Sequence, residues 1–159
     1  QEDGKRSGTS NTPALAGLAV AADLALKTDM RAVQALRDQF ERDLTHLLPQ
    51  AIIHAKGAPR LPNTSCFSLP GIIAEDVADQ LAARGIVIGT GSACSSGTLE
   101  PPKTLLAMGT DYEIAKAALR VSLSALTNAE DLKTLLDNLS GLAGAPGQQA
   151  TTARHIHHR

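Results

Sequence analysis

Cys94 is the residue in this chain most clearly placed to react. It stands in the run Gly89-Thr90-Gly91-Ser92-Ala93-Cys94-Ser95-Ser96-Gly97, where every neighbour is small or polar and glycines lie on both sides. Apolar packing does not account for a thiol in such company. The composition predicts an accessible, mobile loop, which suits a thiol that must travel to a reaction and back. Thiolate chemistry needs that access together with an electropositive setting that lowers the pKa. The loop itself supplies only backbone dipoles and Lys103, so further help must come from elsewhere. A structural thiol in a tight turn is the alternative.

Three other residues frame this candidate. Arg120 lies in Leu119-Arg120-Val121-Ser122-Leu123, whose alternation predicts a half-buried strand. A guanidinium there is either a solvated surface group or a bidentate ligand for a planar anion. Thr9, in Arg6-Ser7-Gly8-Thr9, reads by itself as a turn residue. Cys66 alternates with its strand neighbours and is expected to be a small packed side chain. His46 and His54 read as ordinary helix and strand residues. His155, His157 and His158 lack an ordered scaffold, so no metal site is expected.

The elements that must position these groups follow from periodicity and punctuation. Thr12-Pro13 predicts an N-cap and first helical residue, opening a helix to about Lys27 with Leu15, Leu18, Ala19, Ala22 and Leu26 as its buried face. A second helix is predicted from about Asp29, with Val33, Leu36, Phe40, Leu44, Leu47 and Leu48 at helical spacing before Pro49. Short strands are expected at 51–55 and 64–69, followed by a helix over 74–84 that stops at Gly85. Ile86-Val87-Ile88 reads as a buried strand leading into the cysteine loop. A short helix then runs from Pro101-Pro102 to Met108. Capping boxes at Thr110–Glu113 and Thr127–Glu130 open two more helices, the last with Leu132, Leu135, Leu136, Leu139 and Leu142 on one stripe. The order predicts an α+β domain, a short antiparallel or mixed sheet with helices packed on one face.

The division is a connecting segment and the start of a long helix over 1–28, a small α+β domain over 29–143 with the cysteine loop at 89–100, and a disordered tail over 144–159. A length of 159 residues permits one real core, and aromatics at 2% leave Leu, Ile, Val and Ala to build it. A net charge of −1 gives no electrostatic reason to expect nucleic acid or an anionic membrane. No apolar run reaches the roughly 18 residues of a membrane span, and the polar start lacks the apolar stretch of a secretory signal. Two cysteines are too few for a disulfide scaffold, which points to a reducing, cytoplasmic setting, with a Cys66–Cys94 disulfide as the alternative.

The run from Gly89 to Gly109 resembles the active-site loop of the cysteine desulfurases of the nitrogen-fixation and iron–sulfur assembly type, in the class V aminotransferase family. Gly91-Ser92-Ala93-Cys94-Ser95-Ser96, Leu99-Glu100-Pro101 and Ala107-Met108-Gly109 carry the likeness. Arg6-Ser7-Gly8-Thr9, Leu61-Pro62-Asn63 and Leu119–Leu123 agree in order and spacing, so that the likeness covers about residues 1–140. The resemblance implies the small C-terminal domain of a fold-type I, pyridoxal-phosphate-dependent transferase. It makes Cys94 the nucleophile that takes sulfur from L-cysteine as a persulfide and releases L-alanine. It gives Arg120 the substrate carboxylate and Thr9 the cofactor phosphate, across a homodimer interface. A sulfur acceptor such as an iron–sulfur scaffold protein is the implied partner.

Two departures stand against a complete enzyme. The lysine that holds the cofactor in this family follows a histidine in a segment upstream of Arg6. None of Lys5, Lys27, Lys56, Lys103, Lys116 and Lys133 has that setting. The chain alone is therefore expected to be inactive, as the C-terminal portion of a longer protein. Ser124-Ala125 also replaces the family's Gly-Arg after the Arg120 strand. A stand-alone persulfide relay and a non-catalytic interaction module are the alternatives, and weak or no dimerisation is expected.

Overall fold

The computed structural model describes residues 2–91 and 100–143. Cys94 and the tail over 144–159 lie outside the described residues. Among the described residues six α-helices and four strands run in the order α1 (Thr12–Lys27), α2 (Met30–Leu47), β1 (Ile52–Ile53), β2 (Thr64–Ser68), α3 (Ala74–Ala82), β3 (Gly89–Thr90), α4 (Lys103–Ala107), α5 (Tyr112–Lys116), β4 (Ala118–Ser122) and α6 (Ala129–Ala143). The strands form one antiparallel sheet of order β1-β2-β4-β3.

Because side chains alternate across a strand, the β2–β4 register sorts the sheet into two faces. Phe67 opposite Leu119 and Ser65 opposite Val121 lie on the face that α2, α3 and α6 cover. Phe40 and Leu44 of α2, Val77 and Leu81 of α3, and Leu135 and Leu139 of α6 close this core, with Phe40 and Phe67 tilted at 5.8 Å. Cys66 opposite Arg120 and Ser68 opposite Ala118 lie on the other face. There the short α4 and α5 cover one end, where Leu105 and Ala115 pack on Ala118. Elsewhere on that face, among the described residues, Thr64 and Cys66 are half-buried and Arg120 is exposed.

Among the described residues every buried side chain lies between Val33 and Leu139. The helix expected over 12–27 forms, but its expected buried face does not: α1 has no buried residue. Leu15, Leu18, Val20, Leu24 and Leu26 are all more than half exposed. The cause is compositional. With apolar residues on all sides, α1 has no preferred face to turn inward, whereas the α2 stripe does.

Three expected N-caps move by one residue. Asn11, not Thr12, caps α1, its side chain accepting from the Ala14 N–H at 3.1 Å. Asp111, not Thr110, caps α5 by accepting from Glu113 N–H at 2.9 Å. Asn128, not Thr127, accepts from the N–H groups of Glu130 and Asp131, and Asp131 reciprocates on the Asn128 N–H at 3.0 Å. The expected strand at 86–88 is also absent. Ile86 and Ile88 pack against the core while Val87 is 86% exposed, and ladder pairing begins only at Gly89.

Candidate active-site cleft

The open face of the sheet carries a cleft of about 430 Å³. Its apolar wall comes from Leu61, Pro102, Leu105 and Met108, and its polar groups include Arg120, Cys66, Thr64 and His54. The chain thus brings β2, β3, β4, α4 and the segment after β1 to one place, although Leu61 and Arg120 stand far apart in sequence.

Arg120 is exposed, and its guanidinium has no hydrogen-bonded partner among the described residues. It contrasts with the two arginines of a second cavity, of about 490 Å³, under α2. There Arg60 grips Glu41 in a bidentate pair at 2.7 and 2.9 Å, and Arg37 donates to the Leu61 carbonyl at 2.6 Å and to Asp38. Those cations are committed to the fold. Arg120 keeps its planar fork of donors free for an anion.

Glu41 is 3% exposed and also accepts from the Ser65 hydroxyl at 2.8 Å. Burial alone pushes its carboxyl up, but the hydrogen bonds from Arg60 and Ser65 and the charges of Arg60 and Arg37 outweigh it, so it stays below the usual range. Through Arg60 and the Leu61 carbonyl this cluster fixes the segment that forms one cleft wall.

His54 is buried beyond the end of β1, with its backbone N–H on the Cys66 carbonyl at 2.9 Å. Ser68 donates its single hydroxyl proton to the Ile114 carbonyl at 2.6 Å. It can therefore only accept from His54 Nε2, 2.7 Å away. His54 thus carries its proton on Nε2 and leaves Nδ1 as an acceptor. Burial holds its pKa below the ordinary histidine value, so at neutral pH the ring is uncharged.

Cys66 packs against Leu105, Ala115 and Ala118, as a small packed side chain was expected to do. It is half-buried and free, and it also lines the cleft directly across the ladder from Arg120. Burial pushes its thiol up, with the Arg120 charge opposing, so it is a thiol and not a thiolate at neutral pH. Sequence reading missed both Cys66 and His54 as cleft residues. Their period-two neighbours show only that they sit on strands, whereas the pairing that brings them to Arg120 is non-local.

Cys94 lies outside the described residues, but both flanks of its segment are defined. Gly91 donates its N–H to the Ala118 carbonyl at 3.1 Å. A Cβ on Gly91 would overlap the Pro102 ring and come within 3.3 Å of Ala118 Cβ. The chain therefore leaves the sheet at Gly91 and returns against it at Pro102, at the rim of the Arg120 cleft. Thr9 is not brought there. It sits on an exposed segment ahead of α1, where the Arg6 guanidinium donates to the carbonyls of Gly8 and Thr9 at 3.4 and 3.3 Å.

The chain belongs to the class-V aminotransferases, a family of enzymes, which it matches over residues 2–135. Within that family its relatives are cysteine desulfurases. The cysteine desulfurase of Cereibacter sphaeroides is 39% identical over 139 residues, covering 87% of this chain and 36% of the relative. The cysteine desulfurase NifS of Azotobacter vinelandii is 37% identical over 139 residues, covering 86% and 35%. A NifS-like protein from Rickettsia africae shares the fold with a TM-score of 0.79 at 26% identity, over 91% of this chain and 38% of the other. The chain thus spans a little over a third of the length of the relatives it matches.

The family implies dependence on pyridoxal phosphate. The residues described here do not make a site for that group by themselves. No lysine lines the Arg120 cleft, and Thr9 stands outside it. Among the described residues no helix is long and apolar enough to cross a membrane, and no cluster of three His, Cys, Asp or Glu could hold a metal.

Proposed function

We propose that this chain is the sulfur-accepting part of a cysteine desulfurase, in which Cys94 takes the sulfur of L-cysteine as a persulfide. The net exchange balances without a further reagent: L-cysteine and the Cys94 thiol give L-alanine and the Cys94 persulfide. Breaking the carbon–sulfur bond needs an electron sink, which cysteine desulfurases find in pyridoxal phosphate. None of this chain's six lysines follows a histidine as the family's cofactor-holding lysine does, so the chain alone is inactive. Arg120 holds the substrate carboxylate through its paired donors. Thr9 contacts the cofactor phosphate of the other subunit of a homodimer. The sulfur then passes to an acceptor such as an iron–sulfur scaffold protein, in the cytoplasm.

One observation carries this reading: Arg120 is an uncommitted guanidinium in a cleft whose rim, Gly91 and Pro102, is where the Cys94 segment leaves and rejoins the fold. A substrate carboxylate held at Arg120 shares the cleft with those two flanks.

Intact-mass spectrometry tests it. The chain is incubated with L-cysteine, with and without pyridoxal phosphate, and with a complete desulfurase. A gain of one sulfur atom, absent in Cys94→Ser and seen only when the complete enzyme is present, is the expected result. A gain with L-cysteine and pyridoxal phosphate alone overturns the assignment of the chain as inactive. No gain at Cys94 under any condition refutes its role as acceptor and leaves an interaction module.

A further inference from the structure

Arg120 is flanked by different neighbours on its two sides. In an antiparallel ladder, directly opposed residues point to the same face, so Cys66 of β2, Arg120 of β4 and Gly89 of β3 form one row across the open side of the sheet. On the β2 side the row is filled by a thiol. On the β3 side it is empty, because Gly89 has no side chain.

The Arg120 guanidinium occupies that empty place. A Cβ built on Gly89 would stand 3.3 Å from one terminal nitrogen of Arg120, 3.4 Å from its Nε and 3.6 Å from Cζ. The fork therefore lies across the β3 backbone, at the position where a residue 89 side chain would grow. Gly89 is not required there by its own backbone. Its φ is not in the left-handed region, and β-branched residues are favoured in strands. The glycine is explained by the guanidinium that lies over it.

We infer that Gly89 is the positioning residue that seats the Arg120 guanidinium over β3, in the cleft that Gly91 also lines, by leaving a notch for it. The inference rests on the reading of Arg120 as the carboxylate ligand and adds what sets its direction. Cys66 stands opposite Arg120 on the other side of the row. A single methyl group needs only a few tenths of an ångström from the tip of a flexible side chain, so alanine is nearly tolerated. A branched side chain fills the notch and forces the guanidinium out of it.

The test uses the isotopically labelled chain under reducing conditions, with L-cysteine as the probe and chemical-shift titration as the readout. The Arg120 Nε–H signal is identified by its loss in Arg120→Gln. Gly89→Ala is expected to weaken binding by less than threefold. Gly89→Val should weaken it by about tenfold or more, the worth of one hydrogen bond to a charged group, and move the Arg120 Nε–H signal toward that of a freely solvated arginine. In the Arg120→Gln background Gly89→Val should change nothing further, which separates aiming from a general disturbance of the strand. If Gly89→Val binds L-cysteine as the unmodified chain does and its Arg120 signal stays put, the inference about Gly89 is wrong while the role of Arg120 stands. If the unmodified chain shows no saturable shift, or Arg120→Gln binds equally well, the carboxylate assignment fails. Gly89 is then judged on the Arg120 signal alone, and its constancy in Gly89→Val refutes the notch.

Discussion

Replacing Glu41 by glutamine should loosen the wall of the cleft at a cost that can be worked from the contacts. The carboxylate is 4% exposed and its partner Arg60 15%. It accepts two hydrogen bonds from that guanidinium and one from Ser65, a fully buried hydroxyl. Removing one partner of a buried ion pair costs about 3–5 kcal/mol. Glutamine keeps one acceptor oxygen, and Arg60 at the edge of the second cavity can regain some water, so we expect about 2–3 kcal/mol at neutral pH. For a chain of this size that is a fall of about 5–10 °C in Tm. The comparison also has a signed pH dependence. Glu41 has a folded pKa below its unfolded value, so its contribution is complete above that unfolded value, ordinarily 4.5, and is lost as pH falls through the folded one. Urea unfolding followed by circular dichroism, from neutral pH into acid, measures both. A Glu41→Gln variant within about 0.5 kcal/mol of the parent at neutral pH, or a gap that does not narrow in acid, would refute the clamp.

Three further outcomes follow from the same geometry. Gly91→Ala drives a methyl group into the Pro102 ring and should cost about 1–3 kcal/mol by overpacking; Pro102→Ala should recover part of it in a double-mutant cycle, and strict additivity would show that the two flanks do not touch. His54 has a folded pKa below 6.5, so the unfolded chain binds the proton more readily and stability should fall as pH drops below 6.5. A ring titration by nuclear magnetic resonance with a midpoint at or above 6.5, or a proton found on Nδ1, would contradict the Ser68 hydrogen-bond chain. Leu18→Glu together with Leu24→Glu on α1 should leave the unfolding free energy of the domain in urea unchanged within about 0.5 kcal/mol, since neither side chain is buried; a larger loss would mean α1 packs on the domain.

What was legible in the sequence, and what was not, divides along the range of the interactions. The α2 stripe of Val33, Phe40 and Leu44 and the α6 stripe of Leu132, Leu135 and Leu139 were readable because one helix face is apolar and the other charged. The glycine stops at Gly85 and Gly109 were readable because each takes a positive φ. Caps were found to within one residue. At all three the threonine stood beside an Asn or Asp, whose side chain reaches the first-turn N–H groups and is the stronger cap. The run Ile86-Val87-Ile88 correctly signalled apolar contact at Ile86 and Ile88, but burial is not pairing, and only the ladder partner on β4 decides where a strand begins. Arg120 and Thr9 were identified by motif, and the geometry draws only Arg120 into the cleft. Cys66, His54 and Gly89 gained their significance from cross-strand register, which no local window contains.

The bare surface of α1 gives the molecule two cooperativities. Helices of sixteen residues are marginal in water without tertiary contact, and α1 has no buried residue to supply one. Its amides should therefore exchange with solvent far faster than those of α2 or α6, whose protection is set by the core. That difference is adjustable from outside. Any surface that covers Leu15, Leu18 and Leu24 adds a free energy that grows with the logarithm of its concentration, and α1 alone feels it directly. Hydrogen-exchange protection along Thr12–Lys27 thus works as a binding isotherm written into the backbone, and the rest of the domain serves as its internal reference.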